Sequence, residues 1–173
     1  MNEEFERFMR ESNWIEGERE GFYVPTRIEP WIAGKLHPND LRVMHLMYDK
    51  ARQDIDPCED DLLRIHLMLA EVRPDLRLQW KGEYRQCPVF IGTHEGLDWK
   101  KIKKAMALYF LEWDEMDPWT AHARYEKIHP FEDLNGRTGR ILWAWSMIRK
   151  GHNPFRLPFL HCYYYQSLSA YRE

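Results

Sequence analysis

The sequence predicts a mainly α single domain over residues 1–173, with one small β element. Three observations lead there. Apolar side chains recur at helical spacing over most of the chain. Asp, Asn, Pro and Gly stand where helices would begin and end. Only the stretch from Gln79 to Gly92 alternates in the manner of strands. A hydrophobic fraction of 44% over 173 residues is enough to bury a core without metal or disulfide staples.

In chain order, Phe5, Phe8, Met9, Ser12 and Ile15 form one helical stripe, and Gly17 sits where a C-terminal cap wants glycine, so a short helix ends near Glu16. Glu20 to His37, with Gly21, Pro25, Pro30 and Gly34, reads as an extended connector. Asn39 or Asp40 caps a helix reaching about Ala51. Another begins near Asp60, carries Leu62, Leu63, Ile65, Leu67, Met68 and Leu69, and stops at Arg73-Pro74. Gln79 to Gly92 suggests a β-hairpin or two short strands. Asp98 caps a helix with Trp99, Ile102, Met106, Tyr109, Phe110 and Trp113 on its apolar face. Asp117-Pro118 is a cap followed by proline in the first turn, and opens the helix that delivers His129. The next helix runs from Asn135 to about Lys150 with Gly151 as its stop. Pro154 and Pro158 break the segment that follows, and Cys162 to Tyr171 reads as a final helix.

Composition removes several function classes. With a net charge of -3 and 25 Lys and Arg spread along the chain, there is no nucleic-acid footprint. Cys58, Cys87 and Cys162 are too few and too widely spaced for a disulfide framework or a zinc site, which fits a reducing compartment. The Met1-Asn2-Glu3-Glu4 start lacks the basic and apolar regions of a signal peptide. No run approaches the roughly 18 apolar residues of a membrane span. The expectation is a cytoplasmic protein with neither nucleic acid nor membrane as partner; a homo-oligomer is compatible with the sequence.

The chemistry concentrates in His129-Pro-Phe-Glu-Asp-Leu-Asn-Gly-Arg-Thr-Gly-Arg140. A helix opening at Asn135-Gly136 presents unpaired N–H groups and its positive dipole end, an anion cradle. Arg137 and Arg140, three apart, share a face and can grip successive phosphates. Asp133, just outside the helix, is suited to holding Mg²⁺ against those phosphates. His129 at the other lip can take a proton from an attacking hydroxyl. Phe131 reads as core.

These residues resemble the signature of the Fic family, His-Pro-Phe-x-(Asp/Glu)-Gly-Asn-Gly-Arg-x-x-Arg, at every specified position except Leu134, where the family has glycine. Ala121, His122, Tyr125, Glu126 and Ile128 resemble its leading helix. Gly82, Tyr84, Arg85, Val89, Ile91 and Gly92 resemble its flap, though the proline pair often found after the flap is missing. Gly151 and Tyr163 to Leu168 resemble its closing helices, so the resemblance runs from about Leu62 to the end. It implies the Fic fold, a helical bundle with a small β-hairpin flap beside the active-site loop, with residues 60–173 as the core.

It also implies a protein adenylyltransferase: AMP moves from ATP to a Tyr, Thr or Ser hydroxyl of a protein target, and pyrophosphate leaves. His129 would be the base, Asp133 the Mg²⁺ ligand, and Asn135, Gly136, Arg137, Gly139 and Arg140 the nucleotide-binding set. Arg85 to His94 would dock the target as an added strand, with Ile91 or His94 clamping its side chain. His66 and His122 read as packed residues.

A second pattern lies at the N-terminus. Ser12-Asn-Trp-Ile-Glu16-Gly17 is similar to the family's inhibitory pattern (Ser/Thr)-x-x-x-Glu-(Gly/Asn), which makes residues 1–18 an inhibitory helix whose Glu16 pairs with Arg140 in place of the γ-phosphate.

Leu134 leaves three alternatives open. It carries the strain of a positive φ, it obstructs the cradle, or the loop takes an ordinary conformation there. The alternative functions are γ-phosphate transfer as in the Doc branch, another nucleotidyl transfer, and a degenerate module that binds nucleotide or a partner. The Doc branch usually has lysine after the motif asparagine; Gly136 favours AMP transfer.

Overall fold

The computed structural model describes residues 1–18 and 34–156. Among them are six α-helices: α1 Asn2–Ile15, α2 Pro38–Arg52, α3 Glu59–Glu71, α4 Ile102–Leu111, α5 Pro118–Ile128 and α6 Asn135–Arg149. A two-stranded antiparallel sheet, β1 Phe90–Ile91 and β2 His94–Glu95, lies between α3 and α4 in the chain. The mainly α expectation holds. The connector proposed for Glu20 to His37 falls mostly outside the described residues, and the final helix proposed for Cys162 to Tyr171, with Tyr163 to Leu168, lies wholly outside them.

Helix α6 is the centre. Every residue from Arg137 to Ser146 is buried, so the helix has no solvent face and is enclosed by its neighbours. Helices α5 and α2 pack along it, α1 and α3 touch it, and α4 closes over α5 and α3. Trp143 and Trp145, both buried, fill the core, and Trp145 donates its indole N–H to Ile55 C=O at 2.9 Å. No helix among the described residues is long and apolar enough to cross a membrane.

Helix starts and stops follow capping chemistry, with two corrections. Helix α2 is capped from His37 and not from Asn39 or Asp40. Pro38 takes the first turn, and Asp40, two residues later, accepts the His37 N–H at 2.9 Å. Helix α3 likewise starts from Cys58, with Asp61 reaching back to its N–H. Asp117 caps α5 as expected, accepting from Trp119 N–H at 3.0 Å and Thr120 N–H at 3.1 Å. The hairpin is shorter and later than Gln79 to Gly92 suggested. Its tight turn is Gly92-Thr93, and Gly92 supplies the positive φ of 62° that such a turn requires. The alternating pattern upstream instead forms turns that anchor the loop between α5 and α6.

One polar network fixes α1 against the body. Arg73, just past α3, donates through Nη2 to Asn13 Oδ1 at 3.0 Å and lies 3.2 Å from Asp40 Oδ1; Asn13 Nδ2 donates to Asp40 Oδ2 at 2.8 Å. All three side chains are buried, so each satisfies the others where water is excluded. This network sets the end of α1 beside the N-terminus of α6.

Candidate active site

The six residues between α5 and α6 form a loop braced from three sides. Phe131 is fully buried and stacks on the His66 ring at 3.8 Å and 5°. Asn135 brackets Phe131, its oxygen accepting the Phe131 N–H and its amide donating to the Phe131 C=O, both at 2.9 Å. Its side chain is therefore committed to the loop, which leaves its backbone N–H as the group it offers at the start of α6. His66 Nδ1 accepts the Gly82 N–H at 2.9 Å, so its proton sits on Nε2, 3.3 Å from Asp133 C=O. Burial lowers the His66 pKa to about 4. Gln79 N–H adds a bond to Glu132 at 2.8 Å.

His129 caps the end of α5 in a left-handed conformation, φ 50°. Its Nδ1 lies 3.3 Å from Glu126 C=O, a group that only accepts, so the proton belongs on Nδ1 and the lone pair on Nε2. The Glu126 carboxylate is 3.6 Å away from the same nitrogen. Burial pushes the His129 pKa down to about 4, with the Glu126 carbonyl opposing it. The ring is neutral near pH 7 and can accept a proton. His122 is a packed residue, buried, with Nδ1 3.0 Å from Gly139 C=O and a pKa lowered by burial to about 3.

Helix α6 opens behind Leu134, which adopts φ 64° and is 2% exposed within the core. The structure thus selects the positive-φ alternative, and the ordinary conformation is excluded. The first bond of the helix is Thr138 N–H to Leu134 C=O at 3.0 Å, so the N–H groups of Asn135, Gly136 and Arg137 precede any intrahelical acceptor. Asp133 is exposed, with one oxygen 2.5 Å from the Leu134 N–H. Among the described residues no cluster of three or more His, Cys, Asp or Glu would hold a metal unaided. One carboxylate beside an amide cradle suits a Mg²⁺ that takes its other ligands from phosphates and water.

Gly136 and Gly139 differ in what their missing side chains allow. A Cβ on Gly136 would lie 2.5 Å from Glu16 Oε1, so the cradle is open to a close-approaching anion. A Cβ on Gly139 would meet Glu126 Oε1 at 2.6 Å and the Tyr125 ring at 2.8 Å. Gly139 faces α5, where its missing side chain permits helix packing.

Two carboxylates of the N-terminal segment hold the two arginines of α6. Arg140, 1% exposed, donates from Nη2 to Glu16 Oε1 at 2.7 Å and to Ser12 C=O at 3.0 Å, and from Nε to Ser12 Oγ at 2.8 Å. Gly17 follows Glu16 with φ 81° and turns the chain off the helix. Glu18 then lies 3.2 Å from Arg137 Nη1, accepts from Arg73 Nε at 3.0 Å, and is 3.0 Å from His37 Nε2. Burial works to raise both carboxyl groups, and the opposing arginine charges outweigh it and leave both below the ordinary range. Sequence reasoning missed Glu18 and Arg73: no local pattern links residues so far apart.

The flap stands on Arg85, which donates from Nε to His129 C=O at 2.8 Å. Ile91 and His94 are direct partners across the hairpin, so their side chains share one face. Phe90, which sequence reasoning left aside, is 70% exposed on β1.

Comparison with known proteins places this geometry. The model of the Fic/DOC family matches residues 55–147. A protein adenylyltransferase Fic of Aedes aegypti is 30% identical over 128 residues, which cover 65% of this chain and 24% of that protein. The chain thus spans about a quarter of the length of the curated relatives it matches. Among solved structures, a Fic family protein from Desulfovibrio desulfuricans G20 superposes with a TM-score of 0.61 at 25% identity, over 98% of this chain and 55% of that one. Fic-1 of C. elegans, residues 134–508, shares the fold with a TM-score of 0.62 at 20% identity, over 96% and 55%. The family match covers more than half of the chain and includes the His129 to Arg140 loop: the chain belongs to the Fic/DOC family.

Proposed function

We propose that this protein transfers AMP from ATP to a hydroxyl side chain of a protein target and that Glu16 restrains the reaction. The observation that carries the reading is the place of the Glu16 carboxylate. It sits at the N-terminus of α6, against Gly136 and on Arg140, which is where a phosphate would gain most from the N–H groups and the guanidinium.

In the reaction the hydroxyl oxygen bonds to the α-phosphorus of ATP as the bond to the β-phosphate oxygen breaks, and pyrophosphate departs. The hydroxyl proton passes to His129 Nε2, whose lone pair is free because Nδ1 faces Glu126 C=O. Asn135, Gly136 and Arg137 offer backbone N–H groups to the phosphate oxygens. Arg137 and Arg140 neutralise the terminal phosphates once Glu18 and Glu16 withdraw. Asp133 would hold Mg²⁺, which supplies further charge neutralisation along the phosphates. Arg85 to His94 presents the target, with Ile91 and His94 on the face that clamps its side chain. Positioning and electrostatics of this kind suffice for phosphoryl-type transfer, which asks little covalent help of the protein.

The chain's relatives named protein adenylyltransferase support the AMP reading, as does glycine at position 136. The test is intact mass of the Glu16→Gly protein after incubation with ATP and Mg²⁺. Added AMP is the expected result. Added phosphate would move the reading to γ-phosphate transfer, and no added mass, with ATP bound, would make the protein a binding module.

A further inference from the structure

The hairpin is too short to stand alone. Each strand has two residues, and an isolated pair of that size has too few bonds and no buried face to hold it. What it stands on is Arg85, which is 1% exposed and spends all three guanidinium nitrogens on backbone carbonyls. Nη1 donates to Cys87 C=O at 2.7 Å, just before β1, and Nη2 to Leu97 C=O at 2.6 Å, just after β2. Nε donates to His129 C=O at 2.8 Å, and the Arg85 backbone N–H to Pro130 C=O at 3.0 Å. Gly96 makes room for the guanidinium, since a Cβ there would lie 3.2 Å from Arg85 Nη2. The Gly96 N–H bond to Val89 C=O at 2.8 Å closes the hairpin just above.

One side chain therefore joins both feet of the flap to the backbone of His129. That backbone is itself strained, because a left-handed conformation costs a residue with a Cβ on the order of 1 kcal/mol or more. A bond to its carbonyl helps to hold it there. Lysine carries its three donors on a single nitrogen and has no planar fork, so it cannot span three carbonyls that Arg85 reaches from three separate nitrogens.

We propose that Arg85 is a positioning residue for the transfer reaction: it fixes the distance between a hydroxyl docked on the flap and the Nε2 of His129, and takes no part in holding the nucleotide. This rests on the reading of the flap as target-docking element and of His129 as base.

The experiment compares Arg85→Met and Arg85→Lys in a Glu16→Gly background. It measures self-modification rate at saturating ATP, ATP affinity by calorimetry, thermal midpoint, and deuterium uptake of the amides from 86 to 97. In Arg85→Met the expected rate falls about 100-fold or more, ATP affinity stays within about threefold, and flap exchange rises. Arg85→Lys recovers part of the rate and part of the protection. A rate within about threefold of the parent, or an ATP affinity that falls in step with the rate, overturns the proposal, since a general loosening moves both. If the parent transfers nothing, the transfer reading fails on its own, and the exchange measurement still decides: flap amides as protected in Arg85→Met as in the parent refute the anchoring. Should Arg85→Met not fold, Arg85→Lys carries the same comparisons.

Discussion

Glu16 Oε1 lies 2.7 Å from Arg140 Nη2 and 2.5 Å from where a Cβ on Gly136 would stand, so one carboxylate fills both the arginine and the mouth of the amide cradle. Arg140 is buried and the Glu16 side chain is 28% exposed. The pair falls between surface pairs and fully buried ones, worth about 1–3 kcal/mol. Since about 1.4 kcal/mol is tenfold in binding, Glu16→Gly is expected to tighten Mg-ATP binding about 10- to 100-fold in calorimetry. An unchanged affinity would overturn the proposal that Glu16 restrains the reaction. Ser12→Ala deletes one neutral acceptor of Arg140 and leaves the backbone one, so its gain is expected to be roughly tenfold or less.

Glu18 extends the same logic to Arg137. Arg137 Nε and Nη1 are buried with no hydrogen-bond acceptor, although the Glu18 carboxylate stands 3.2 Å from Nη1. Glu18→Gln keeps the shape and an acceptor for Arg73 while removing the charge. Added to Glu16→Gly, it is expected to tighten ATP and ADP a further threefold to tenfold and to leave AMP unchanged, because AMP brings no second phosphate. Equal affinities of the single and double variants for ATP would show that Glu18 does not compete.

The fold and the loop were legible because their signals are local. Capping at Asp117, the stripe Phe5-Phe8-Met9-Ser12 and the spacing from His129 to Arg140 each lie within a few turns of helix. What stayed hidden is non-local. The Asn13–Asp40–Arg73–Glu18 network joins three distant segments, and no periodicity marks any of its members. Asp40 read as a cap and proved to reach back to the cap residue, His37, from three residues further in, since Pro38 had already set the first turn. The hairpin was misplaced because the alternation of Gln79 to Gly92 belongs to turns held by side chains such as His66 and Glu132.

Acid should loosen this site before it stops the chemistry. His66, His122 and His129 are held neutral, chiefly by burial, with pKa values lowered to about 4, 3 and 4. In the unfolded chain each returns to about 6.5. Between about pH 6.5 and 4 the unfolded chain binds more protons, so stability falls as pH drops through that window and is flat above it. A thermal midpoint constant from pH 8 to 7 and declining below about 6.5 is the expected result. The rate carries a different signature. His129 is already an acceptor at pH 5, so kcat/KM of the Glu16→Gly protein should show no acid limb near 6.5. A limb centred there would mean that the base is not this histidine in this environment.

Leu134 sets two effects against each other. Its φ of 64° costs a residue with a Cβ about 1–2 kcal/mol, which glycine would relieve. Its side chain is 2% exposed in the core, and deleting a buried leucine costs about 2–5 kcal/mol. Burial wins, so Leu134→Gly is expected to lower stability by about 1–3 kcal/mol. Leu134→Ala keeps the strain and loses nearly the same burial, which should make it the less stable of the two by about 1 kcal/mol. Because the side chain packs into the core, neither change should alter ATP affinity of the Glu16→Gly protein by more than about threefold, provided that binding is measured well below the unfolding transition. A tenfold gain in Leu134→Gly would show that the leucine obstructs the cradle after all. Chemical denaturation of the three proteins, with ATP titrations alongside, separates strain from obstruction, since strain moves stability and obstruction moves binding.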